Sequence, residues 1–257
     1  MYRRPLCYNA PRRFPEQTQP GLKLEMKTLR AVLFDFDGVI ADTEPLHFAG
    51  LRRTLADIDI TLTEQDYYAN YLGFDDRGCF LAALQANGRP VAPDIIRDLM
   101  KKKAVAYLAS IKDHLVIFPG VREFVQAAAA LYPLAIAYGA LRQEIELILE
   151  QAGIRQAFLH ITSAEDVSRG KPDPQPFQFA LAGLTQQRPT LGLDAASCLV
   201  IEDSLPGIRS AKSAGMKVLA VANTHTTQDL HEAHAITHSL ADTSLDDLQR
   251  RLWPAAL

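Results

Sequence analysis

The 257-residue sequence has few cysteines, no long apolar run and no excess of charge of either sign. Its three cysteines, Cys7, Cys79 and Cys198, lie far apart and in neither Cys-x-x-Cys nor Cys/His zinc spacing, which disfavours a disulfide framework and a zinc site. No stretch has the apolar length that a membrane span needs. With 27 basic and 30 acidic residues, the formal net charge of -3 offers no basic surface for nucleic acid or an anionic membrane. We therefore expect a reduced, cytoplasmic protein that binds neither.

The first residues differ in composition from the rest of the chain. Residues 1–27 contain four prolines and little apolar periodicity, which predicts a disordered leader. The segment lacks the apolar core of a secretory signal. Its arginines also resemble those of an organelle transit peptide, whereas Met26 offers a start just before the first apolar run. We favour an extended, dispensable tail.

The remaining chain alternates between strand and helix patterns, with one long helical interruption. The apolar run Ala31–Phe34 predicts a buried strand. From Pro45 to about residue 112 the apolar spacing is helical, with helices expected near 63–71, 75–87 and 93–112. Further strands are expected near 134–138, 157–161, 197–202 and 217–222, separated by helical patterns. Such alternation predicts an α/β fold with a parallel sheet.

Carboxylates follow two of the predicted strands directly. Asp35 and Asp37 end the first strand, and Glu202 and Asp203 end the run at 198–201. Ligands bind at the carboxyl ends of strands in open parallel sheets, and buried carboxylates need compensating charge. Asp35, Asp203, Glu202 and the backbone carbonyl of Asp37 suit Mg2+, which prefers oxygen ligands. Lys171, in a loop with glycine and two prolines, is a candidate for a cation held in a fixed position. The alternative for Lys171 is an ordinary solvated lysine, and the alternative for Asp35 and Asp37 is that they only begin a turn.

Four histidines follow the last strong strand pattern without any metal-binding motif. We interpret them as exposed loop and helix residues and assign them no chemistry: His225, His231, His234 and His238.

Three ordered motifs carry a resemblance to a known family. Asp35-Phe36-Asp37-Gly38-Val39, Lys171-Pro172 and Glu202-Asp203-Ser204 with Pro206-Gly207 resemble the haloacid dehalogenase superfamily of phosphotransferases, over nearly everything after residue 28. The resemblance implies a Rossmann-like parallel-sheet core, residues 28–42 and 118–257. It also implies an inserted all-helical cap domain, residues 43–117.

The resemblance implies a role for each motif residue. Asp35 would be the nucleophile that forms an aspartyl-phosphate, and Asp37 the general acid and base. Lys171 would stabilise the developing negative charge. Two sets of residues complete the implied site: Gly38, Tyr138, Gly139 and Lys171 for the phosphate, and Asp35, Asp37, Glu202 and Asp203 for Mg2+.

The predicted cap carries candidate substrate residues. Thr43 and His47 look like the hinge segment of the subgroup that contains β-phosphoglucomutase and sugar-phosphate phosphatases. Packing in the hinge is an equal alternative for His47. Arg77 is a candidate clamp for a second anionic group. For residues 101–103, three consecutive lysines, we expect a solvated helix face; the alternative is that one of them makes a phosphate or leaving-group contact, as the resemblance to the subgroup implies.

The second motif departs from the family pattern. Where the family has a Ser or Thr at the end of the second strand, this chain has Tyr138, followed by Gly139 and Ala140. A tyrosine carries its hydroxyl several ångströms further out on a rigid ring. The backbone N–H groups of the following residues can still bind phosphate.

Three functions follow as hypotheses. The first is a Mg2+-dependent phosphatase of small phosphorylated metabolites, of the sugar-phosphate or phosphoglycolate type. The second is a β-phosphoglucomutase-like phosphomutase, motivated by Thr43 and His47. The third is a phosphate-binding protein with weakened catalysis, motivated by Tyr138. The expected partner is a small phosphorylated metabolite, and we expect a monomer or weak dimer.

Overall fold

A six-stranded parallel sheet forms the centre of the protein. The computed structural model describes residues 28–71, 74 and 76–254, with the side chains of 112–114 excepted, so the predicted leader at 1–27 lies outside the described residues. The sheet order is β5-β4-β1-β6-β7-β8. Its strands are β1 (Ala31–Phe34), β4 (Leu134–Ala137), β5 (Phe158–Thr162), β6 (Cys198–Glu202), β7 (Lys217–Val221) and β8 (Ala235–Thr237).

The centre of the sheet is buried on both faces, which explains why its strands are continuous apolar runs. Every residue of β1, β4 and β6 is buried. Strand β1 lies between β4 and β6, with Phe34 paired to Ile136 on one side and Ile201 on the other. The carboxyl ends of the three strands therefore meet at one edge, where the sequence changes from apolar to charged.

Five helices cover the two faces of the sheet. One face packs on α5 (Val121–Leu131), α6 (Arg142–Gln151) and α9 (Leu245–Leu252), around Phe34, whose ring makes edge contacts with Phe124 and Phe158. The other packs on α7 (Gln175–Gln187) and α8 (Leu205–Ser213). The result is the three-layer α/β arrangement that the alternating pattern predicts.

The first four helices of the described chain, all after β1, pack around an apolar cluster of their own. They are α1 (Glu44–Ala56), α2 (Glu64–Asn70), α3 (Asp76–Ala86) and α4 (Pro93–His114). Phe80, Leu55 and Leu84 are almost fully buried in that cluster. Helix α2 begins where Thr63 accepts a hydrogen bond from Asp66 N–H, and α4 begins at a proline, as expected for helix starts. This is the predicted all-helical cap; its limits at 43 and 117 stay a prediction.

A short antiparallel ribbon joins the cap to the core. It consists of β2 (Ala41–Asp42) and β3 (Val116–Ile117), with Ala41 paired to Ile117. The chain therefore enters and leaves the helical segment side by side. The sequence pattern did not predict these two-residue strands.

The observed element bounds lie within two residues of the clearest predicted ones. Strand β8, which the sequence pattern missed, is only three residues long and lies at the edge of the sheet beside β7. Among the helices within the described ranges, none combines the length and apolar character that crossing a membrane requires.

Candidate active site

The two aspartates of the first motif lie where β1 ends. Asp35 is 5 % exposed, and its backbone N–H donates to Ile201 O at 2.9 Å. The chain then turns sharply at Gly38, whose φ is +72°. An added Cβ at Gly38 would lie 1.9 Å from Oδ2 of Asp203. A glycine is needed here both for the left-handed backbone and for the close approach of this carboxylate.

Lys171 links the carboxylates of the two neighbouring strand ends. Its Nζ lies 2.5 Å from Oδ1 of Asp35 and 2.7 Å from Oε1 of Glu202. Burial lowers the pKa of Lys171, but these two carboxylates outweigh burial, and the net shift is upward. The lysine is therefore held as a cation against Asp35, as the family resemblance implies.

Glu202 is fully buried and both of its oxygens accept hydrogen bonds. Oε1 accepts from Lys171, while Oε2 accepts from the N–H groups of Asp203 and Ser204, at 2.7 and 2.6 Å, and from the Ser204 hydroxyl. An added Cβ at Gly207 would lie 1.5 Å from Oε1 of Glu202. The glycine at the start of α8 therefore makes room for this carboxylate.

A loop after β7 completes the surroundings of Asp203. The Thr224 hydroxyl donates to Oδ2 of Asp203, and Nδ1 of His225 lies 3.8 Å from the same oxygen. Asn223 donates to the carbonyl of Gly38 at 2.8 Å. Sequence reasoning missed these contacts. The four histidines are exposed, as expected, but all four lie in loops, and His225 reaches the site.

Asp37, two residues after Asp35, is held by the first residue of the cap. Its Oδ1 accepts from the backbone N–H of Thr43 at 2.8 Å and from the Thr43 hydroxyl at 2.5 Å. Burial raises the pKa of Asp37 to about 6, although both hydrogen bonds from Thr43 oppose the shift. A carboxyl group in this range can both give and take a proton near neutral pH.

The residues at the strand ends fit a divalent cation. Oxygens of Asp35, Glu202 and Asp203 lie within 4.8 Å of one another, and all three residues are buried. Burial raises the pKa of Asp35 well above its usual range; Glu202 and Asp203 raise it further, and Lys171 opposes them. Lys171 contacts two of these three carboxylates, Asp35 and Glu202, and clustered oxygen ligands of this kind suit Mg2+.

Tyr138 follows β4 directly and crosses towards the cap. Its ring packs against Phe36, with ring centroids 5.4 Å apart, and its hydroxyl interacts with Thr43. Burial raises the pKa of Tyr138, and the nearby Asp37 adds to the shift. The tyrosine hydroxyl therefore lies towards Thr43. Beside it, Gly139 is exposed and has open space around it.

A cavity of about 1000 Å3 connects these core residues with the cap. The residues that line it include predicted site residues from both parts of the chain: Asp37, Tyr138 and Gly139 from the core, and His47 and Arg77 from the cap. His47 also stacks on Tyr107, with centroids 4.4 Å apart. Both interpretations of His47 thus have a geometric basis, because it packs in the hinge and faces the cavity.

Lys103 corrects the expectation of a solvated lysine face. It is only 2 % exposed, whereas Lys101 and Lys102 are exposed. It forms an ion pair with Asp76, and its Nζ lies 2.8 Å from Nδ1 of His47. The side chain packs over Gly50, where an added Cβ would contact its Cγ at 3.4 Å. One of the three lysines therefore turns inwards and packs against the facing helix α1.

Comparisons with known proteins agree on one family. Residues 32–221 match the family described as haloacid dehalogenase-like hydrolase. CbbY of Rhodobacter capsulatus is 30 % identical over 227 residues, which cover 86 % of this chain and 94 % of that protein. A phosphorylated carbohydrates phosphatase of Thermotoga maritima is 27 % identical over 191 residues, covering 74 % and 83 %.

The fold is also shared with solved structures. The crystal structure of CbbY from Rhodobacter sphaeroides in complex with phosphate superimposes with a TM-score of 0.72. It is 24 % identical, and the match covers 83 % of this chain and 96 % of that one.

Proposed function

Because this chain belongs to the haloacid dehalogenase-like hydrolases, we propose that it is a Mg2+-dependent phosphatase of small phosphorylated metabolites. Its relatives include proteins named for activity on phosphorylated carbohydrates. The substrates we propose are sugar phosphates or short phosphorylated acids of the phosphoglycolate type. We also propose that it acts in the cytoplasm.

In the first step, Asp35 attacks phosphorus. A carboxylate oxygen of Asp35 forms a bond to phosphorus while the bond from phosphorus to the ester oxygen breaks. The carboxyl group of Asp37 gives its proton to the departing oxygen. Lys171, 2.5 Å from Oδ1 of Asp35, balances the negative charge on the nucleophile and the transferring group.

In the second step, water releases the phosphate. The carboxylate of Asp37 takes a proton from the water, whose oxygen forms a bond to phosphorus as the bond to Asp35 breaks. Inorganic phosphate leaves, and Asp37 is again protonated. Because residues two apart on an extended chain project the same way, both carboxylates can address one phosphorus atom.

Mg2+, when bound, neutralises charge on the phosphoryl oxygens and on the nucleophile. Asp35 and Asp203 would hold it, together with the backbone carbonyl of Asp37. Glu202 has both oxygens engaged by donors, so we assign it to fixing Lys171 and the turn at Ser204. Thr224 would orient Asp203 towards the ion.

The phosphoryl group would be held without the second-motif hydroxyl. Tyr138 directs its hydroxyl towards Thr43, so we assign the phosphate contacts to the N–H groups after it, Gly139 among them, and to Lys171. Backbone N–H groups in a loop form anion sites of this kind. This arrangement favours an active phosphatase over a phosphate-binding protein with weakened catalysis.

The observation that carries the proposal is the placement of Asp35. This carboxylate lies at a strand end, 2.5 Å from Lys171 and clustered with the carboxylate of Asp203. Asp37, two residues further on, lines a cavity large enough for a small metabolite.

The test is phosphate release from a panel of phosphorylated metabolites with Mg2+. We expect Asp35→Asn to lose at least about 10³-fold in kcat/KM, because the nucleophile is removed. Asp94→Asn, an exposed aspartate at the start of α4, is the matched control. Hydrolysis that survives Asp35→Asn would refute the nucleophile assignment. Interconversion of sugar phosphates that needs a bisphosphate activator, without net phosphate release, would support the mutase alternative instead.

A further inference from the structure

Two tyrosines from different parts of the chain direct their hydroxyl groups towards the hinge of the cap. Tyr107 lies in the cap helix α4, and Tyr138 follows strand β4 of the core. The hydroxyl of each tyrosine interacts with the side chain of Thr43, and the two tyrosines also interact with each other. A strand end, the hinge and a cap helix therefore meet at one hydroxyl group, which is the group that donates to Asp37.

The rings of both tyrosines are fixed by packing. Tyr107 is 2 % exposed and belongs to the apolar cluster of the core, although its helix is part of the cap. Its ring stacks on His47, with centroids 4.4 Å apart, while the ring of Tyr138 packs on Phe36, with centroids 5.4 Å apart. A buried tyrosine hydroxyl usually finds a hydrogen-bond partner, and here each ring holds its hydroxyl beside Thr43.

The single hydrogen of the Thr43 hydroxyl already has an acceptor. It is donated to Oδ1 of Asp37 at 2.5 Å, so towards the tyrosines the oxygen of Thr43 can only accept. A hydroxyl oxygen has two lone pairs, one for each tyrosine. Because a hydroxyl that accepts hydrogen bonds becomes a stronger donor, donation from the tyrosines would strengthen the bond from Thr43 to Asp37.

We propose that Tyr107 and Tyr138 are positioning residues for the proposed acid and base. Both hydroxyls donate to Thr43, and Thr43 in turn holds the carboxyl group of Asp37 in one orientation for proton transfer. Because Tyr107 comes from the cap and Tyr138 from the core, Asp37 is fully oriented only while α4 lies against the core. This inference rests on the proposed phosphatase function and deepens it, since the hydroxyl at the second-motif position serves the acid instead of the phosphate.

Removal of single hydroxyl groups tests the proposal. Tyr107→Phe and Tyr138→Phe keep the rings, and each should lower kcat/KM for an alkyl phosphate of the metabolite panel about fivefold, a part of what general acid catalysis contributes. The same variants should change kcat/KM for p-nitrophenyl phosphate less than about twofold, because p-nitrophenolate departs without a proton. A purely structural role would lower both values alike.

Tyr132→Phe is the matched control. It removes a partly buried tyrosine hydroxyl that donates to Gln249 at 3.0 Å, and neither residue lines the cavity. We expect kcat/KM to stay unchanged for both substrates.

A double-mutant cycle tests the connection through Thr43. In the Thr43→Val background no hydroxyl is left to accept from the tyrosines, so Tyr107→Phe and Tyr138→Phe should have no further effect on hydrolysis of the alkyl phosphate. Residues that act independently of Thr43 would instead give losses that multiply. Multiplied losses in folded variants would overturn the proposal.

The outcomes separate this inference from the function on which it rests. Thermal unfolding establishes that each variant is folded, and each tyrosine is tested by itself, so one folded Phe variant is sufficient. If the wild type hydrolyses no phosphomonoester, the proposed function fails and the inference with it. If the wild type hydrolyses both substrates and a folded Phe variant loses the same factor on both, or on neither, only the inference fails.

Discussion

Thr43 donates two hydrogen bonds to one oxygen of Asp37, from its backbone N–H at 2.8 Å and from its hydroxyl at 2.5 Å. Thr43 immediately precedes the first cap helix, so the position of the proposed acid is tied to the position of the cap. Asp37 also lines the cavity between the core and the cap.

Thr43→Val should lower kcat while leaving KM almost unchanged. The variant keeps the shape of the side chain and the backbone hydrogen bond but loses the hydroxyl that orients Asp37. We expect kcat to fall about tenfold to a hundredfold, within the range that general acid catalysis contributes, with little change in KM. Thr43→Ser should restore most of the rate. A change confined to KM would indicate a substrate contact instead.

Glu202→Gln should lower stability as well as activity. The amide presents only one oxygen to a site where Glu202 accepts from Lys171 and from three further donors. Breaking a buried charge pair costs about 3–5 kcal/mol of unfolding free energy, measurable by urea denaturation. Glu146→Gln, which removes a partly exposed pair with Arg155, should cost less than about 1 kcal/mol. Equal effects would contradict the anchoring role.

Gly38→Ala should weaken cation binding. The new Cβ would press against Oδ2 of Asp203 and would also occupy a left-handed backbone position. We expect at least tenfold weaker Mn2+ binding by electron paramagnetic resonance titration. Gly88 has a similar φ, +62°, with nothing within 4 Å of an added Cβ. Gly88→Ala therefore measures the effect of a left-handed alanine alone, without a contact to a carboxylate. If both variants bind Mn2+ like the wild type, the proposed cation site is wrong.

Tyr138→Phe should retain activity within about tenfold. The ring would keep its packing on Phe36, and the proposed phosphate contacts come from the backbone after Tyr138. Tyr138→Ser restores the family's hydroxyl but removes the ring, and we expect a loss of about 3 kcal/mol in unfolding free energy. Complete loss of hydrolysis in the Phe variant would show that the hydroxyl itself takes part in the reaction.

His47 should stay neutral throughout the neutral pH range. Burial lowers its pKa to about 3, and the ammonium of Lys103 adds to the shift. The unfolded chain binds a proton at His47 near pH 6.5, whereas the folded protein does not. The unfolding free energy that neutral His47 contributes is therefore fully present above pH 6.5. It decreases by about 1.4 kcal/mol for each pH unit below that value. His47→Gln should remove that slope from denaturant midpoints measured between pH 4 and 7, and NMR should show no titration of His47 there.

Much of the site could be predicted because strand ends and motif order locate it. Asp35, Glu202 and Asp203 meet as expected, since neighbouring parallel strands bring their carboxyl ends together. Lys171 could be placed only through the family resemblance, because nothing in a proline-rich loop shows which way a lysine points. The direction of the Tyr138 hydroxyl depends on the packing of its ring against Phe36.

Contacts between distant segments escaped prediction. Three consecutive lysines give no sign of which one turns inwards, because the partners of Lys103, Asp76 and His47, lie on other helices. The loop at Asn223 and Thr224 has no motif, and it reaches Asp203 only because β7 lies beside β6 in the sheet. Strand β8 was too short to show periodicity.

The ribbon of β2 and β3 allows the helical segment to vary independently of the sheet. Ala41 lies opposite Ile117, and Asp42 opposite Val116, so both junctions of the helical segment lie within one strand spacing of each other. A tight two-residue turn spans that gap. Helical segments of different length can therefore be inserted at the β2–β3 ribbon without a change in the position of any strand of the sheet. The helical segment can therefore be replaced while the residues around Asp35 keep their positions.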